Sequence, residues 1–440
     1  MTDAARTDDA PSPAERYAAQ RELRSLPRLR AFRDGLTIEL DPFQHAACAA
    51  LEHGRSVLVA APTGAGKTIV AEFAVFLAMF EPSAKIFYTA PMKALSNQKY
   101  TELVAQYGHS EVGLLTGDTN INARARIVVM TTEVLRNMLY ADSDLLTDLA
   151  FVVMDEVHYL ADRFRGAVWE EVIIHLPAHV RMISLSATVS NAEEFGDWLQ
   201  AVRGDTDVIV SETRPVPLEQ HVLVRSKLLD LFDSSGKAAT NRVNPELVQL
   251  AKTGGPTPHR GRQYHPRRWE KRPAGEGRAD RAEIVGILGA RNLLPAIFFI
   301  FSRAGCDAAV KQLVRSGIRL TDAAEREEIR LIVEERCRTL RDDDLAVLGY
   351  WEWLDGLQRG VAAHHAGLLP AFKEVVEELF QKKLLRVVFA TETLALGINM
   401  PARTVVLEKL EKFNGEARVP ITPGEYTQLT GRAGRRGIDT

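Results

Sequence analysis

Residues 56–68 read SVLVAAPTGAGKT, a β-prone run that leads through a glycine-rich loop into an apolar helical pattern. Glycines let the backbone N–H groups of such a loop turn toward a polyphosphate, and the following helix N-terminus adds partial positive charge. Lys67 then reaches the β- and γ-phosphates, and the Thr68 hydroxyl binds Mg²⁺. Ala61 stands where the general motif has its first glycine. An ordinary glycine-rich turn is the alternative, which the flanking strand and helix patterns disfavour. The stretch predicts a nucleotide site.

The rest of the chain alternates short apolar strands with helical patterns. Such alternation predicts a parallel sheet covered by helices on both faces, with functional residues at the carboxyl ends of the strands. A first set of strands is predicted at residues 85–89, 112–115, 127–130, 151–154 and 182–185. A second set, at residues 295–301 and 385–390, predicts a second α/β domain that has no phosphate loop of its own.

Composition limits the class of protein only loosely. A length of 440 residues predicts several domains, and the net charge of −3 means that a nucleic-acid partner would need a local basic groove. The three cysteines, Cys48, Cys306 and Cys337, fit neither a disulfide framework nor a zinc spacing, which favours reduced thiols. No secretory signal or membrane-spanning pattern is found. We therefore expect a cytoplasmic protein.

Two acidic residues follow the predicted strand at 151–154. Asp155 can hold Mg²⁺ through its hydration shell, and Glu156 can orient and deprotonate an attacking water. A solvated acidic pair is the alternative, which the phosphate loop upstream disfavours. Gln44 lies shortly before the loop strand, where its amide could read the hydrogen-bonding edges of adenine.

The second domain ends in QLTGRAGRRG at residues 428–437. Arginines three apart, Arg432 and Arg435, are expected on one helical face, and the glycines allow close approach of another surface. Guanidinium groups that stabilise the charge of a transferring phosphoryl group are worth roughly 10³ to 10⁵ in rate. A basic helix end is the alternative reading. The motif predicts an arginine finger.

Residues 233–281 form a basic segment rich in Gly and Pro, with eleven Lys or Arg against five Asp or Glu. A solvated linker is the favoured interpretation, although Tyr264 and Trp269 among the basic residues would also suit a nucleic-acid contact. The adjacent His364 and His365 have no further ligand cluster nearby, which argues against a metal site there.

Taken together, these motifs resemble the superfamily-two DExH-box helicases, and the run DEVHYLADRFRGAVWEE most resembles the superkiller-type, exosome-associated RNA helicases and their bacterial relatives. The matching motifs, in chain order, are Gln44, APTGAGKT, APMKALSNQK, TGD, DEVH, SAT, ATETLALGINMPA and QLTGRAGRRG. The resemblance implies two tandem RecA-like domains. We expect a disordered or loosely helical lead at residues 1–35, the first domain at 36–232, a disordered linker at 233–282 and the second domain at 283–440.

The resemblance also implies roles for individual residues. ATP and Mg²⁺ would be held by Gln44, Ala61, Pro62, Thr63, Gly64, Ala65, Gly66, Lys67, Thr68 and Asp155, with Thr68 and Asp155 on the metal. Catalysis would involve Lys67, Glu156, Gln428, Arg432 and Arg435, the last three meeting the γ-phosphate from the second domain. A single strand would lie, largely without sequence preference, along Pro91, Lys93, Thr116, Gly117, Thr131, Ser302, Arg303, His365, Gly367, Thr391 and Asn399. Asn414-Gly415 signals the tight turn of a β-hairpin near the strand-splitting point.

The function implied is that of an ATP-dependent RNA helicase core, a monomer that translocates 3′ to 5′ on a single strand and unwinds duplexes, with RNA-decay proteins as possible partners. A DNA-directed helicase of the same superfamily and an ATP-gated nucleic-acid clamp are the alternatives. Family members continue into a winged-helix and a helical ratchet domain. This sequence stops at Thr440, so it is either a fragment of a longer protein or a minimal core, and the fragment is favoured. We expect it to hydrolyse ATP, to bind single strands weakly and to unwind poorly.

Overall fold

The computed structural model describes residues 26–161, 166–187, 192–214, 216–224, 226–233, 242–253, 280–338, 347–395, 400, 402–413 and 417–434. The chain divides into two compact units, Met1–Pro215 and Val216–Thr440. Residues 216–232, which the sequence assigned to the first domain, therefore belong to the second unit. The reason is local pairing, because the strands in this segment pair with each other and Tyr426 donates a hydrogen bond to Gln220.

The first unit is built on one eight-stranded sheet in the order β4-β3-β5-β2-β6-β7-β1-β8. All neighbouring strands are parallel except β3 and β4. Central parallel strands are buried on both faces, which explains unbroken apolar runs such as IVVMT in β5. The strands are β1 Ser56–Ala60, β2 Lys85–Ala90, β3 Val112–Leu115, β4 Asn120–Ile121, β5 Ile127–Thr131, β6 Leu149–Met154, β7 Arg181–Ser186 and β8 Thr206–Val210.

Seven helices are described in the first unit. They are α1 Pro27–Asp34, α2 Pro42–Glu52, α3 Thr68–Phe80, α4 Lys93–Tyr107, α5 Thr132–Tyr140, α6 Gly166–His175 and α7 Ala192–Arg203. Helix α1 lies within residues 1–35, which were expected to form a disordered or loosely helical lead. Leu26 and Leu29 are fully buried and join the same core cluster as Phe73 of α3. Their burial, together with the start of a helix at Pro27, makes this segment part of the folded unit.

The second unit contains a four-stranded parallel sheet in the order β12-β13-β11-β14 and two antiparallel hairpins. The sheet strands are β11 Ala296–Phe299, β12 Val361–His364, β13 Val387–Ala390 and β14 Thr404–Leu407, and the hairpins are β9 His221–Val224 with β10 Lys227–Asp230 and β15 Glu411–Phe413 with β16 Arg418–Pro420. The helices are α8 Pro245–Thr253, α9 Arg281–Ala290, α10 Arg303–Arg315, α11 Ala323–Arg336, α12 Tyr350–Gln358, α13 Pro370–Gln381 and α14 Pro423–Thr430.

Alternate residues of β11 show that helices cover both faces of this sheet. Ile297 and Phe299 join one buried cluster with α11, α12 and α13, whereas Ala296 and Phe298 join another with α9 and α10. Successive side chains of a strand point to opposite faces, so each face has its own helical layer. The predicted α/β class, with two tandem RecA-like domains built on mostly parallel sheets, is confirmed.

Helix α8 lies inside the segment that was expected to be a disordered linker. Phe232 and Val243 form a β-bridge just before it, and the Asn244 side chain accepts the N–H of Glu246 at 2.9 Å in the first turn. This part of the segment is therefore ordered. Residues 234–241 and 254–279, with Tyr264 and Trp269, lie outside the described residues. Among the helices that the structure does describe, none has the length and apolar character needed to span a membrane.

Candidate active site

The phosphate loop connects β1 to α3 at the carboxyl edge of the first sheet. Gly64 and Gly66 have φ angles of 83° and 84°, a region in which a side chain would be strained, so the loop depends on both glycines. The Lys67 ammonium donates to the carbonyl oxygens of Ala61 at 2.7 Å and Pro62 at 3.0 Å. Lys67 is thus folded back over the loop that precedes it. Thr63 is half-buried in the same loop, and Thr68 is exposed at the first position of α3.

Gln44 is fully buried beneath this loop and does not lie at an open surface. Its amide nitrogen donates to the carbonyl oxygens of Ala65 at 3.2 Å and Gly66 at 3.0 Å, and its oxygen accepts the Asp41 N–H at 2.8 Å. The side chain therefore connects the start of α2 to the phosphate loop. Reading adenine, as the sequence suggested, would require this amide to exchange at least some of these protein partners.

Asp155 and Glu156 follow β6 and lie next to each other at the sheet edge. The Tyr88 hydroxyl donates to Oδ2 of Asp155 at 2.8 Å, and the Glu156 N–H donates to Oδ1 at 2.9 Å. Burial and the neighbouring Glu156 charge raise the pKa of Asp155 to about 6, although the Tyr88 hydrogen bond and the charge of Lys99 oppose this rise. Glu156 itself has φ 54°, a left-handed conformation that is uncommon outside glycine and concentrates at functional sites.

His158 lies beside the acidic pair, with its Nδ1 3.4 Å from Oε2 of Glu156. Burial lowers the pKa of His158 to about 4, and the positive charge of Lys67 adds to the effect. The ring is therefore neutral at pH 7. Its ring centroid lies 5.1 Å from that of Tyr159, which in turn stacks on the buried Trp169 at 5.9 Å.

The residues present fit a divalent cation. Asp155 supplies carboxylate oxygens, Thr68 supplies an exposed hydroxyl, and oxygen ligands of this kind suit hard cations such as Mg²⁺. Oε2 of Glu156 is buried and forms no hydrogen bond with the described residues, although Nδ1 of His158 lies 3.4 Å away. A buried carboxylate oxygen in this state favours a site that takes a water or a cation.

Tyr88 and Lys99 are residues of this site that the sequence analysis did not identify. Tyr88 is 2% exposed on β2, and the Lys99 ammonium of α4 lies 5.5 Å from its ring centroid. Burial raises the pKa of Tyr88 well above 10, so the hydroxyl stays protonated and can donate. The only signal in the sequence is a tyrosine in an otherwise apolar strand, and the position of β2 beside β6 became known only from the sheet order.

The predicted nucleic-acid residues of the first unit follow three adjacent strands, β2, β5 and β3. Lys93 and Gly117 are exposed, whereas the side chains of Pro91, Thr116 and Thr131 are buried. Lys93 and Thr116 are brought together by Asp118, which the sequence analysis did not single out as a site residue. Its carboxylate binds Lys93 Nζ at 2.5 Å and Thr116 Oγ1 at 3.0 Å, and these two hydrogen bonds lower its pKa.

In the second unit, the predicted nucleic-acid residues likewise lie after three adjacent strands, β11, β12 and β13. Ser302 and Arg303 are exposed, and the buried His365 donates from Nε2 to Asp307 at 2.9 Å because its Nδ1 accepts the Gly367 N–H at 3.1 Å. A Cβ added to Gly367 would lie 3.1 Å from Nδ1 of His365 and 3.5 Å from Cδ of Arg303. These three residues are therefore neighbours. Thr391 is buried at the end of β13, and Asn399 lies outside the described residues.

The adjacent histidines bind different partners. His364 contacts Oε1 of Glu377 at 2.8 Å, on the opposite side of β12 from the Asp307 that His365 binds. Within the described ranges, no group of three metal-ligating side chains occurs.

The arginine motif differs from its prediction in one respect. Helix α14 carries Gln428 but ends at Thr430, so Arg432 lies in the turn beyond the helix and not on its face. The reason is a backbone interaction, because the Arg432 carbonyl accepts the Ala402 N–H at 2.9 Å and the Gly434 N–H donates to the Ala402 carbonyl at 2.9 Å. Arg435 lies outside the described residues.

Strands β15 and β16 supply the two arms of the predicted hairpin, pairing from Phe413 with Arg418 to Glu411 with Pro420. Its predicted turn residues, Asn414 and Gly415, lie outside the described residues.

Two family profiles match the chain. One described as "DEAD/DEAH box helicase" covers residues 41–195, and one described as "Helicase conserved C-terminal domain" covers residues 312–437.

Curated relatives match nearly the whole chain. It is 61% identical over 419 residues to a protein named "Probable helicase HelY" of Mycobacterium leprae, covering 94% of this chain and 45% of the relative. The chain is 43% identical to a chloroplastic DExH-box ATP-dependent RNA helicase of Arabidopsis thaliana, and the match covers 91% of this chain and 36% of the relative. The chain is 42% identical to superkiller complex protein 2 of Homo sapiens, and that match covers 91% of this chain and 32% of the relative. The chain thus spans less than half the length of each.

Proposed function

This chain belongs to the superkiller-type branch of the superfamily-two DExH-box helicases, and from that premise we propose that it is the ATP-driven core of an RNA helicase. ATP hydrolysis would drive movement along one strand from 3′ to 5′. We expect residues 1–440, which cover 45% of the mycobacterial relative, to turn over ATP and to bind single strands.

One observation carries the proposal. Along the carboxyl edge of the first sheet, the candidate nucleotide-binding residues and the candidate strand contacts occupy adjacent groups of strands. The phosphate loop follows β1, Ser186 ends β7 and the acidic pair follows β6, and these three strands are neighbours in the sheet. The candidate strand contacts lie at the ends of β2, β5 and β3, which continue the same edge. A nucleotide and a single strand would therefore bind to adjacent halves of one rigid sheet. This supports an activity in which each ligand affects the other.

The chemistry follows from the groups near the loop. The loop N–H groups and Lys67 would hold the phosphates, and Lys67 would release the carbonyl oxygens of Ala61 and Pro62 to do so. Asp155 and Thr68 would hold Mg²⁺, which when bound offsets the charge on the β- and γ-phosphate oxygens. Glu156 would orient the attacking water and accept its proton, while Tyr88 holds Asp155 in place.

The second unit is proposed to supply positive charge to the transferring phosphoryl group. Arg432 and Arg435 are the residues assigned to that task, and the neutral Gln428 would meet the γ-phosphate beside them. Guanidinium groups contribute there because negative charge spreads over the phosphoryl oxygens in the transition state.

The preference for RNA is supported by the printed names of relatives, including an ATP-dependent RNA helicase of Arabidopsis thaliana. We propose single-stranded RNA as the substrate, contacted mainly at phosphates and sugars. The name of the human relative refers to a complex, which supports a search for protein partners.

The test is ATP turnover by residues 1–440 with matched RNA and DNA single strands at several salt concentrations. We expect stimulation by RNA that exceeds that by DNA and falls steeply as salt rises, because phosphate contacts release counterions. Equal or greater stimulation by DNA would favour the DNA-directed alternative. Turnover that never leads to strand separation, even in a longer chain and on a duplex with a 3′ overhang, would favour the clamp.

A further inference from the structure

Lys412 lies where three elements of the second unit meet. It belongs to β15 of the hairpin, and its ammonium binds Oε2 of Glu392 at 2.8 Å and Oε1 of Glu425 at 2.5 Å. Glu392 begins the short 3₁₀ turn Glu392–Ala395 after β13, and Glu425 lies in the first turn of α14. One lysine side chain thus joins a hairpin, a strand end and a helix.

Two of these elements carry residues with proposed roles. Glu392 directly follows Thr391, a candidate strand contact whose N–H donates to the His364 carbonyl at 3.3 Å. Glu425 precedes Gln428 by three residues on α14, and residues at this spacing lie on one side of a helix. The Lys412 bridge therefore spans from the strand-contacting edge to the helix that carries a candidate γ-phosphate contact.

The connection to α14 is stiff. Oε2 of Glu425 accepts the Thr422 N–H at 2.9 Å, and the Thr422 hydroxyl accepts the Glu425 N–H at 3.3 Å, which completes a capping box. Both carboxylate oxygens of Glu425 are engaged, one on the helix start and one on Lys412. The Glu425 carboxylate therefore ties Lys412 to the start of α14.

The arrangement also depends on the charge of Lys412. Its side chain is 21% exposed, and the two carboxylate oxygens that it binds lie within about 5 Å of each other. Burial lowers the pKa of Lys412, but the hydrogen bonds to the two carboxylates outweigh this effect and the pKa is raised overall. Without the ammonium, the Glu392 and Glu425 carboxylates would lose the cation between them and repel each other.

We propose that Lys412 is a positioning residue that couples single-strand binding at the Thr391 edge to ATP turnover through the helix carrying Gln428. This inference rests on the proposed function, because it assumes that strands stimulate turnover. The hairpin is the third element that Lys412 connects. Phe413 at the end of β15 is 63% exposed, and Leu410, just before β15, is 56% exposed. A contact between a strand and this hairpin would therefore reach α14 by the same route.

The experiment compares Lys412→Met with the wild-type chain of 440 residues, measuring ATP turnover without and with saturating single-stranded RNA. We expect turnover without RNA and nucleotide affinity to stay within about twofold, and the factor of stimulation by RNA to fall about tenfold. Lys412→Arg should retain most of the stimulation, because a guanidinium can bind both carboxylates. The exposed Lys409 provides the matched control, since Lys409→Met should leave stimulation unchanged.

Glu392→Gln is the second variant, because it weakens one arm without touching the capping box, and it should reduce stimulation in the same direction. A Lys412→Met chain that is stimulated as strongly as wild type overturns the coupling alone. So does an equal loss of turnover with and without RNA, which would indicate general damage to the fold. A wild-type chain that responds to neither RNA nor DNA overturns the proposed function, and the coupling with it.

Discussion

The two units contain the same strand–turn–helix element and use it differently. In the first unit β1 reaches α3 through the seven residues 61–67, which include Gly64 and Gly66 at positive φ, and no side chain of the described residues caps the helix. In the second unit β11 reaches α10 through only three residues, and the Ser302 hydroxyl accepts the Gly305 N–H at 3.2 Å. A Cβ on Gly305 would lie 2.8 Å from Ile300, so this turn is also tightly packed.

This contrast bears on where phosphates can bind. A side chain that caps a helix start uses backbone N–H groups that could otherwise bind an anion. In the first unit no side chain of the described residues caps α3, whereas in the second a serine uses one N–H group of α10 and the turn is tightly packed. The second unit can therefore contribute side chains to the chemistry, but it has no phosphate cradle of its own at this turn.

The largest effect is expected for Lys67→Ala, which should reduce ATP turnover by more than about 10³-fold because no other side chain of the loop can bring a charge to the phosphates. Steady-state turnover with RNA present measures this. Lys85→Ala, at the opposite end of β2, is the control and should stay near wild type. Substantial turnover in the Lys67 variant would contradict the role assigned to Lys67 in the phosphate loop of the first unit.

Arg435→Ala should reduce turnover by about 10³-fold while nucleotide affinity changes less than about threefold, because the finger acts on charge that develops only in the transition state. Turnover and equilibrium binding of a fluorescent nucleotide distinguish the two effects. Arg315→Ala, at the exposed end of α10, is the control. Near-normal hydrolysis in the Arg435 variant would remove the catalytic role from the second unit.

Tyr88→Phe should weaken divalent-metal binding about tenfold, since partners that orient a metal ligand contribute effects of about this size.

Asp155 must be ionised to bind a cation, so Mn²⁺ affinity should fall as pH drops through about 6 and level off above it. The Tyr88 hydrogen bond lowers that pKa, and its loss should move the midpoint to higher pH. Mn²⁺ titration followed by electron paramagnetic resonance tests both effects, with Tyr100→Phe on α4 as control. An unchanged midpoint would contradict the positioning role.

Lys93→Ala and Arg303→Ala, one from each unit, should have the smallest effects. Each removes about one phosphate contact, so the slope of log affinity for single-stranded RNA against log salt should decrease by about 0.7. Binding titrations by fluorescence anisotropy at several salt concentrations measure it, with Lys382→Ala on the second unit as control. A change for one residue only would indicate that the strand is held by a single unit.

Much of this site could be predicted from the sequence because its motifs are local. The phosphate loop, the acidic pair and the alternating strands each depend on residues within a few positions of one another, and spacing alone predicts their geometry. Where tertiary contacts determine a residue's position, the prediction from sequence was wrong or could not be made. Arg432 leaves the helix because its carbonyl pairs with Ala402, and Leu26 and Leu29 are ordered because they reach the first core.

The α/β class, the phosphate loop and the strand ends that carry the candidate site could all be inferred from the amino-acid sequence. Which side chains meet there depends on the folded chain, as for Tyr88 with Asp155, Asp118 with Lys93, and Lys412 with Glu392 and Glu425. The cause is that strand order in a parallel sheet does not follow chain order. Partners far apart in the chain become neighbours only once the crossovers have arranged the strands.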